Sequence, residues 1–114
     1  MTEAPYPSIR IRFTIERTER ELDALIDTGF DGHLVIPAAL VPDLPRPVYR
    51  GSVQTPSGQV VGVPGYPATI ELAEVPGPFQ GVAIALGSEF LVGLMSINRI
   101  RLTLDHGRRV IAEP

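Results

Sequence analysis

Ala24-Leu25-Ile26-Asp27-Thr28-Gly29-Phe30, followed three residues later by Leu34-Val35-Ile36, sets one acidic turn between two short apolar runs. A carboxylate that is to hold water and move a proton needs a rigid seat. A strand can deliver it there, and a glycine lets the backbone reverse behind it. The Thr28 hydroxyl can lock such a turn. The apolar residues on both sides exceed what a surface turn needs. They place Asp27 inside a buried layer, where an unpaired carboxylate is costly.

Working outward, Ser8–Ile15 alternates strictly, with Ile9, Ile11, Phe13 and Ile15 on one face, and reads as a half-buried strand. The charged residues 16–21 read as its turn, and residues 22–27 return as the strand that carries Asp27. Residues 34–37 form another short strand, ended by Pro37, which cannot donate to a ladder. Residues 38–44 allow one helical turn. Segments 48–55 and 59–63 flank Pro56-Ser57-Gly58, where proline second and glycine fourth fit a type I hairpin turn. Strands follow at 66–73 and 79–86, separated by the turn-rich Glu74-Val75-Pro76-Gly77-Pro78. One helix is expected at 94–100, since Leu94, Ile97 and Ile100 recur at helical spacing. It follows Phe90-Leu91-Val92 and Gly93. Leu91, Val92, Ile100 and Leu102 should form the core beneath the acidic loop. Arg101-Leu102-Thr103-Leu104 and Arg108-Arg109-Val110-Ile111 alternate around Asp105-His106-Gly107, which reads as a hairpin turn.

The chain has 114 residues, 44% of them hydrophobic and 20% charged, with eleven glycines and twelve prolines distributed along it. This is the make-up of a β-rich soluble domain with many turns. We expect a single domain over residues 1–114, with its core in about 8–113. No apolar run approaches a membrane span. Met1-Thr2-Glu3-Ala4-Pro5 lacks the regions of a signal peptide, so the expectation is a cytoplasmic protein. The absence of cysteine excludes a disulfide framework and thiolate chemistry. A net charge of -3 gives no strong attraction to nucleic acid or anionic lipid. All ten basic residues are arginine, which we read as compositional bias.

The order of parts resembles the retropepsins and their bacterial relatives, the single-domain aspartic peptidases of clan AA. Four parts carry the resemblance in order: Leu25-Ile26-Asp27-Thr28-Gly29-Phe30; the hairpin around Pro56-Ser57-Gly58, where that family has its flap; Leu91-Val92-Gly93 with its helix; and the closing hairpin. The resemblance implies a mainly β, closed-barrel, one-lobe acid-protease fold with one short C-terminal helix. It also implies an endopeptidase acting as a homodimer. Asp27 would be the catalytic carboxylate, Thr28 would tie the two loops together across the dimer, and Gly29 and Asp31 would bind the substrate backbone. Phe30, Gln54, Thr55, Ser57 and Gly58 would complete the substrate contacts. Such peptidases need two carboxylates sharing a proton. Asp105-His106-Gly107 is the only other Asp-x-Gly and reads as a turn, so the second aspartate should come from a second copy across a two-fold axis. No metal, cofactor, nucleic acid or membrane is called for; the partners are a second copy and a peptide or protein substrate.

The chain also departs from that pattern. Viral members commonly carry an arginine after the glycine of the late helix, bracing the aspartates; here the residues are Gly93-Leu94-Met95. Arg12 or Arg99 could pair with Asp31 instead. Phe30 replaces a small alanine and should narrow the nearest pocket or pack under the flap. The alternative is a retropepsin-like dimer that binds peptides or assembles without cleaving them. A monomeric barrel in which Asp27 only caps a turn is a third reading. His33 and His106 beside Asp27, Asp31 or Asp105 lack metal-ligand spacing and read as surface histidines. Ser57 and Ser96 lack the setting of a nucleophile.

Overall fold

The computed structural model describes residues 7–73, 75, 77–97, 101–105 and 109–113. The chain runs β1 (Ser8–Ile15), β2 (Thr18–Ile26), β3 (Leu34–Ile36), a 3-10 helix (Ala38–Asp43), β4 (Tyr49–Gln54), β5 (Val60–Leu72), β6 (Phe79–Ala85), β7 (Leu91–Val92), α1 (Leu94–Ile97), β8 (Arg101–Asp105) and β9 (Arg109–Glu113). Strands β1-β2-β7-β3-β6-β5 follow one another in the sheet, and β5 pairs again with β1. That second pairing closes a six-stranded barrel. β4 lies outside the ring on β5, and β8 and β9 pair with each other as a separate hairpin.

The barrel is filled by side chains from alternate positions. Ile9, Ile11, Phe13 and Ile15 of β1 are all buried, as their alternation predicts. They meet Leu34 and Ile36 of β3, Tyr66, Ala68, Ile70 and Leu72 of β5, and Val92 of β7 in one cluster. Each fully buried aliphatic or phenyl side chain contributes about 1.5–3 kcal/mol.

Two expectations about strands need correction. The charged stretch 16–21 is not all turn: the turn is Glu16 and Arg17, and β2 already begins at Thr18. Glu19, Glu21 and Asp23 lie on the outer face of the barrel, where Arg10 and Arg12 of β1 meet Glu21 and Asp23 at 3.6–3.8 Å, and Arg12 also meets Glu71 of β5 at 3.7 Å. Segments 59–63 and 66–73 are one continuous β5 despite Pro64 and Pro67. At Pro64 only β4 lies alongside, and at Pro67 only β6, so each missing N–H can face an unpaired side. The expected helix is present over Leu94–Ile97; the rest of its expected span, residues 98–100, lies outside the described residues.

The hairpin of β4 and β5 has the expected tip. Gly58 donates to the Thr55 carbonyl at 2.8 Å, closing the turn, and Thr55 donates to the Gln59 carbonyl at 2.8 Å. Gly58 has φ +88°, which glycine adopts without strain. The backbone pairing of β8 with β9 agrees with a closing hairpin, while its turn, 106–108, lies outside the described residues. Val92 is buried and Leu91 half-buried; the side chains of Ile100 and Leu102 lie outside the described residues.

Candidate active site

The two-residue strand β7 places the acidic loop. It runs parallel to the end of β2, with Leu25 opposite Leu91 and Ile26 opposite Val92, and antiparallel to β3, with Leu34 opposite Val92. The segment joining β2 to β3 therefore arches over the chain where it leaves β7. Asp27 stands at the start of that arch, its N–H held by the Val92 carbonyl at 3.0 Å.

Phe30 donates to the Asp27 carbonyl at 3.2 Å, which makes residues 27–30 a turn. Gly29 donates its N–H to Asp27 Oδ1 at 2.9 Å, so the carboxylate itself, and not Thr28, locks the turn. The Thr28 hydroxyl makes no hydrogen bond among the described residues. Asp27 Oδ2 makes none either. Asp27 is half-buried, with Thr28 and Gly29 exposed, so it sits at the mouth of the apolar layer and not within it. The buried members of the flanks are Ala24 and Leu34–Ile36.

The arch rests on α1. Gly93 donates to the His33 carbonyl at 3.0 Å, Leu94 to the Phe30 carbonyl at 2.8 Å, and Met95 to the Gly32 carbonyl at 3.1 Å. The fully buried Ser96 hydroxyl donates to the same His33 carbonyl at 2.8 Å. The leading N–H groups of a helix have no partners within it, and here the arch supplies them. Gly93 is needed for this close approach: a Cβ there would run into the Gly32 carbonyl, the Phe30 carbonyl and the Phe30 ring.

Two cavities open beside the arch. The first, about 420 Å3, separates Gly29, Phe30 and Asp31 from Ser52, Val53 and Gln54 of β4. The second, about 460 Å3, is walled mainly by hydrocarbon from Phe30, Val53, Val63, Val82, Ile84 and Met95. Phe30 borders both, so it packs against the arch and forms a wall of the pocket at once.

Of the residues picked out from sequence, Gly29, Phe30, Asp31 and Gln54 line this cleft, while Asp27 and Thr28 lie on its loop, outside both cavity linings. Thr55, Ser57 and Gly58 sit at the hairpin tip, outside both cavity linings. The hydroxyls of Thr55 and Ser57 are 2.9 Å apart, and Gln59 donates to Thr55 Oγ1 at 3.2 Å, so these side chains hold the tip together. Arg12 does not reach Asp31, since it belongs to the outer-face ion pairs. Arg99 lies outside the described residues.

His33 is not a surface histidine. It is half-buried, borders the apolar cavity, and accepts the Val82 N–H at Nδ1 at 3.3 Å. Among the described residues no group of three or more His, Asp or Glu is arranged to hold a metal ion. No helix among them is long and apolar enough to cross a membrane. Ser96, Met95, Val53 of β4 and Val82 and Ile84 of β6 were not picked out as site residues from sequence. Met95 and the wall residues are ordinary apolar positions that long-range pairing brings to the cleft.

Neither a family model nor a curated protein sequence matches the chain. Among solved structures it is similar to the protease of simian foamy virus (mac), determined in solution, with a TM-score of 0.56 and 18% identity. The match covers 81% of this chain and 92% of that one. At that identity the likeness speaks for the fold. The closed barrel with one short helix is a retropepsin-like, single-lobe fold.

Proposed function

We propose that the chain is an aspartic endopeptidase that works as a homodimer, with Asp27 of each copy forming the catalytic dyad. What carries the reading is Asp27 and its loop: one carboxylate oxygen is bonded by the Gly29 amide, the other makes no hydrogen bond among the described residues, and the next residues, Gly29 to Asp31, line a cleft bounded by a sheet-edge strand. The match to a viral protease fold supports it. One copy supplies one such carboxylate, and a two-fold axis beside the loop would supply the second.

In this mechanism a water held between the two carboxylates attacks the peptide carbonyl carbon. The ionised carboxylate takes a proton from that water, while the protonated one gives its proton to the carbonyl oxygen. The tetrahedral intermediate then collapses, the C–N bond breaks, and the leaving nitrogen takes up a proton. The extended substrate lies in the gap between Gly29-Phe30-Asp31 and β4, whose outer edge ends the sheet and has N–H and C=O groups to offer, in the manner of strand addition. Phe30, Asp31 and Gln54 line that gap; Thr55, Ser57 and Gly58 come into play as the hairpin tip closes over it. Two apposed copies also make Thr28, exposed in one chain, available to pair across the axis.

The test is cleavage of a diverse peptide library between mildly acidic and neutral pH by the wild type and by Asp27→Asn, with the mass in solution measured alongside. Cleavage by a dimer, abolished in the variant, is expected. Cleavage that survives the substitution, or an active monomer, would remove the dyad.

A further inference from the structure

We infer that Ser96 is a positioning residue for Asp27, acting through the His33 carbonyl; the inference rests on the peptidase reading of the loop. The arch from Asp27 to His33 is held at both ends by one short stretch. Val92 accepts from Asp27 at the start, and Gly93 and Ser96 both donate to His33 O at the finish, at 3.0 and 2.8 Å. Leu94 and Met95 hold the middle.

Four of these five bonds are backbone bonds, which any sequence could make. Ser96 supplies the fifth, from a hydroxyl side chain that is fully buried. A hydroxyl in that position is unfavourable unless it is bonded, and alanine would fill most of the same space without the polar burden. The first N–H groups of α1 are satisfied by the arch and not within the helix, so α1 and the arch support each other. Ser96 thus couples the helix to the far end of the loop whose near end presents the carboxylate. Its hydroxyl touches no substrate in this arrangement; its effect passes through His33 and the turn.

The experiment compares wild type, Ser96→Ala and, as a control, Ile15→Val, a core truncation outside the loop and its support. Amide hydrogen exchange is read residue by residue in the full-length protein, with kcat and KM on a peptide that the wild type cleaves. In Ser96→Ala the Gly29 and Phe30 amides should exchange about tenfold faster, while β1 and β5 keep their protection. With it, kcat should fall by about 3–10-fold with KM changed less than about twofold, a split expected when geometry at the reacting groups loosens. Ile15→Val should lower the melting temperature without either effect. If Ser96→Ala does not fold, Ser96→Cys, similar in size with a weaker donor, should show the same pattern at smaller amplitude.

Unchanged loop exchange in Ser96→Ala would overturn the inference, as would equal loosening in the control, or faster exchange with kcat unaltered. A wild type that cleaves no peptide would sink the peptidase reading and, with it, the catalytic half of the inference. The exchange data would still decide whether Ser96 holds the loop.

Discussion

Gly29 donates its amide hydrogen to the Asp27 carboxylate two residues upstream, at 2.9 Å, so the group proposed to do the chemistry is also the clasp of its own turn. Asparagine keeps an oxygen in that place while losing the charge. Asp27→Asn should therefore fold like the wild type, with a melting temperature within a few degrees, and lose about 10²–10⁴-fold in cleavage rate. Asp27→Ala should lose the activity and also about 0.5–1.5 kcal/mol of stability, because the clasp is gone. Thermal melts of the two variants separate the roles. Equal stability would mean that the 2.9 Å bond contributes nothing to the turn.

Gly93→Ala addresses the crossing of chain segments directly. The added methyl meets two carbonyl oxygens and the Phe30 ring, and the carbonyls belong to a backbone that β2, β3 and β7 hold in place. A loss of about 2–4 kcal/mol is expected in chemical denaturation. Phe30→Ala added to it should recover only the part due to the ring, leaving most of the loss. Full recovery would show that the backbone contacts are soft.

Phe30→Ala alone should destabilise by about 1.5–3 kcal/mol, less than for a fully buried phenylalanine because the ring is half-exposed. Its clearer effect should be on selectivity. The ring borders both cavities, and removing it joins the gap beside β4 to the apolar pocket. Preference among apolar side chains near the cleaved bond should relax in a library digest. A cleavage profile identical to wild type would mean that the apolar cavity takes no part in substrate binding.

Much of this arrangement was legible before the coordinates, and the limits are physical. Ile9, Ile11, Phe13 and Ile15 announce β1 because a strand buries alternate residues. The turn at Pro56-Ser57-Gly58 could be read because proline and glycine restrict their own backbones. Glu21 misled because a charge on an outer strand face resembles that of a loop until the partner strand brings Arg10 and Arg12 beside it. Pro64 and Pro67 misled because a strand that changes partners leaves some N–H groups unneeded. Asp27 and Phe30 were recognisable as types. The support of their loop was not, since backbone amides and carbonyls make most of it and carry no sequence signal. Ser96, the one side chain involved, looked like any helix serine.

The outer-face ion pairs should matter little. Arg12 stands directly opposite both Glu21 and Glu71, but its side chain is 46% exposed. Arg12→Ala should therefore destabilise by about 0.2–1 kcal/mol at low salt, and the difference should shrink in about 1 M salt, where screening acts within about 3 Å. A larger, salt-independent loss would point instead to packing of the arginine stem across the strands.

Tyr66 provides the alkaline limit. Its side chain is fully buried in the barrel, and its hydroxyl has no hydrogen-bond partner among the described residues. Burial raises its pKa above the ordinary tyrosine value of 10.0, because the phenolate would be poorly solvated there. The folded state then holds the proton more tightly than the unfolded state. Below about pH 10 both states are protonated and the group contributes no slope; above it the unfolded chain releases the proton first, and stability falls as pH rises toward the folded value. Tyr66→Phe removes both the unpaired hydroxyl and this linkage. It should be neutral or stabilising by up to about 1 kcal/mol at neutral pH, and its stability should decline less steeply than wild type above about pH 10. Urea denaturation at pH 7 and at pH 10.5 measures both. A loss of 1 kcal/mol or more at pH 7 would show that the hydroxyl has a partner after all, in water or in the residues beyond those described.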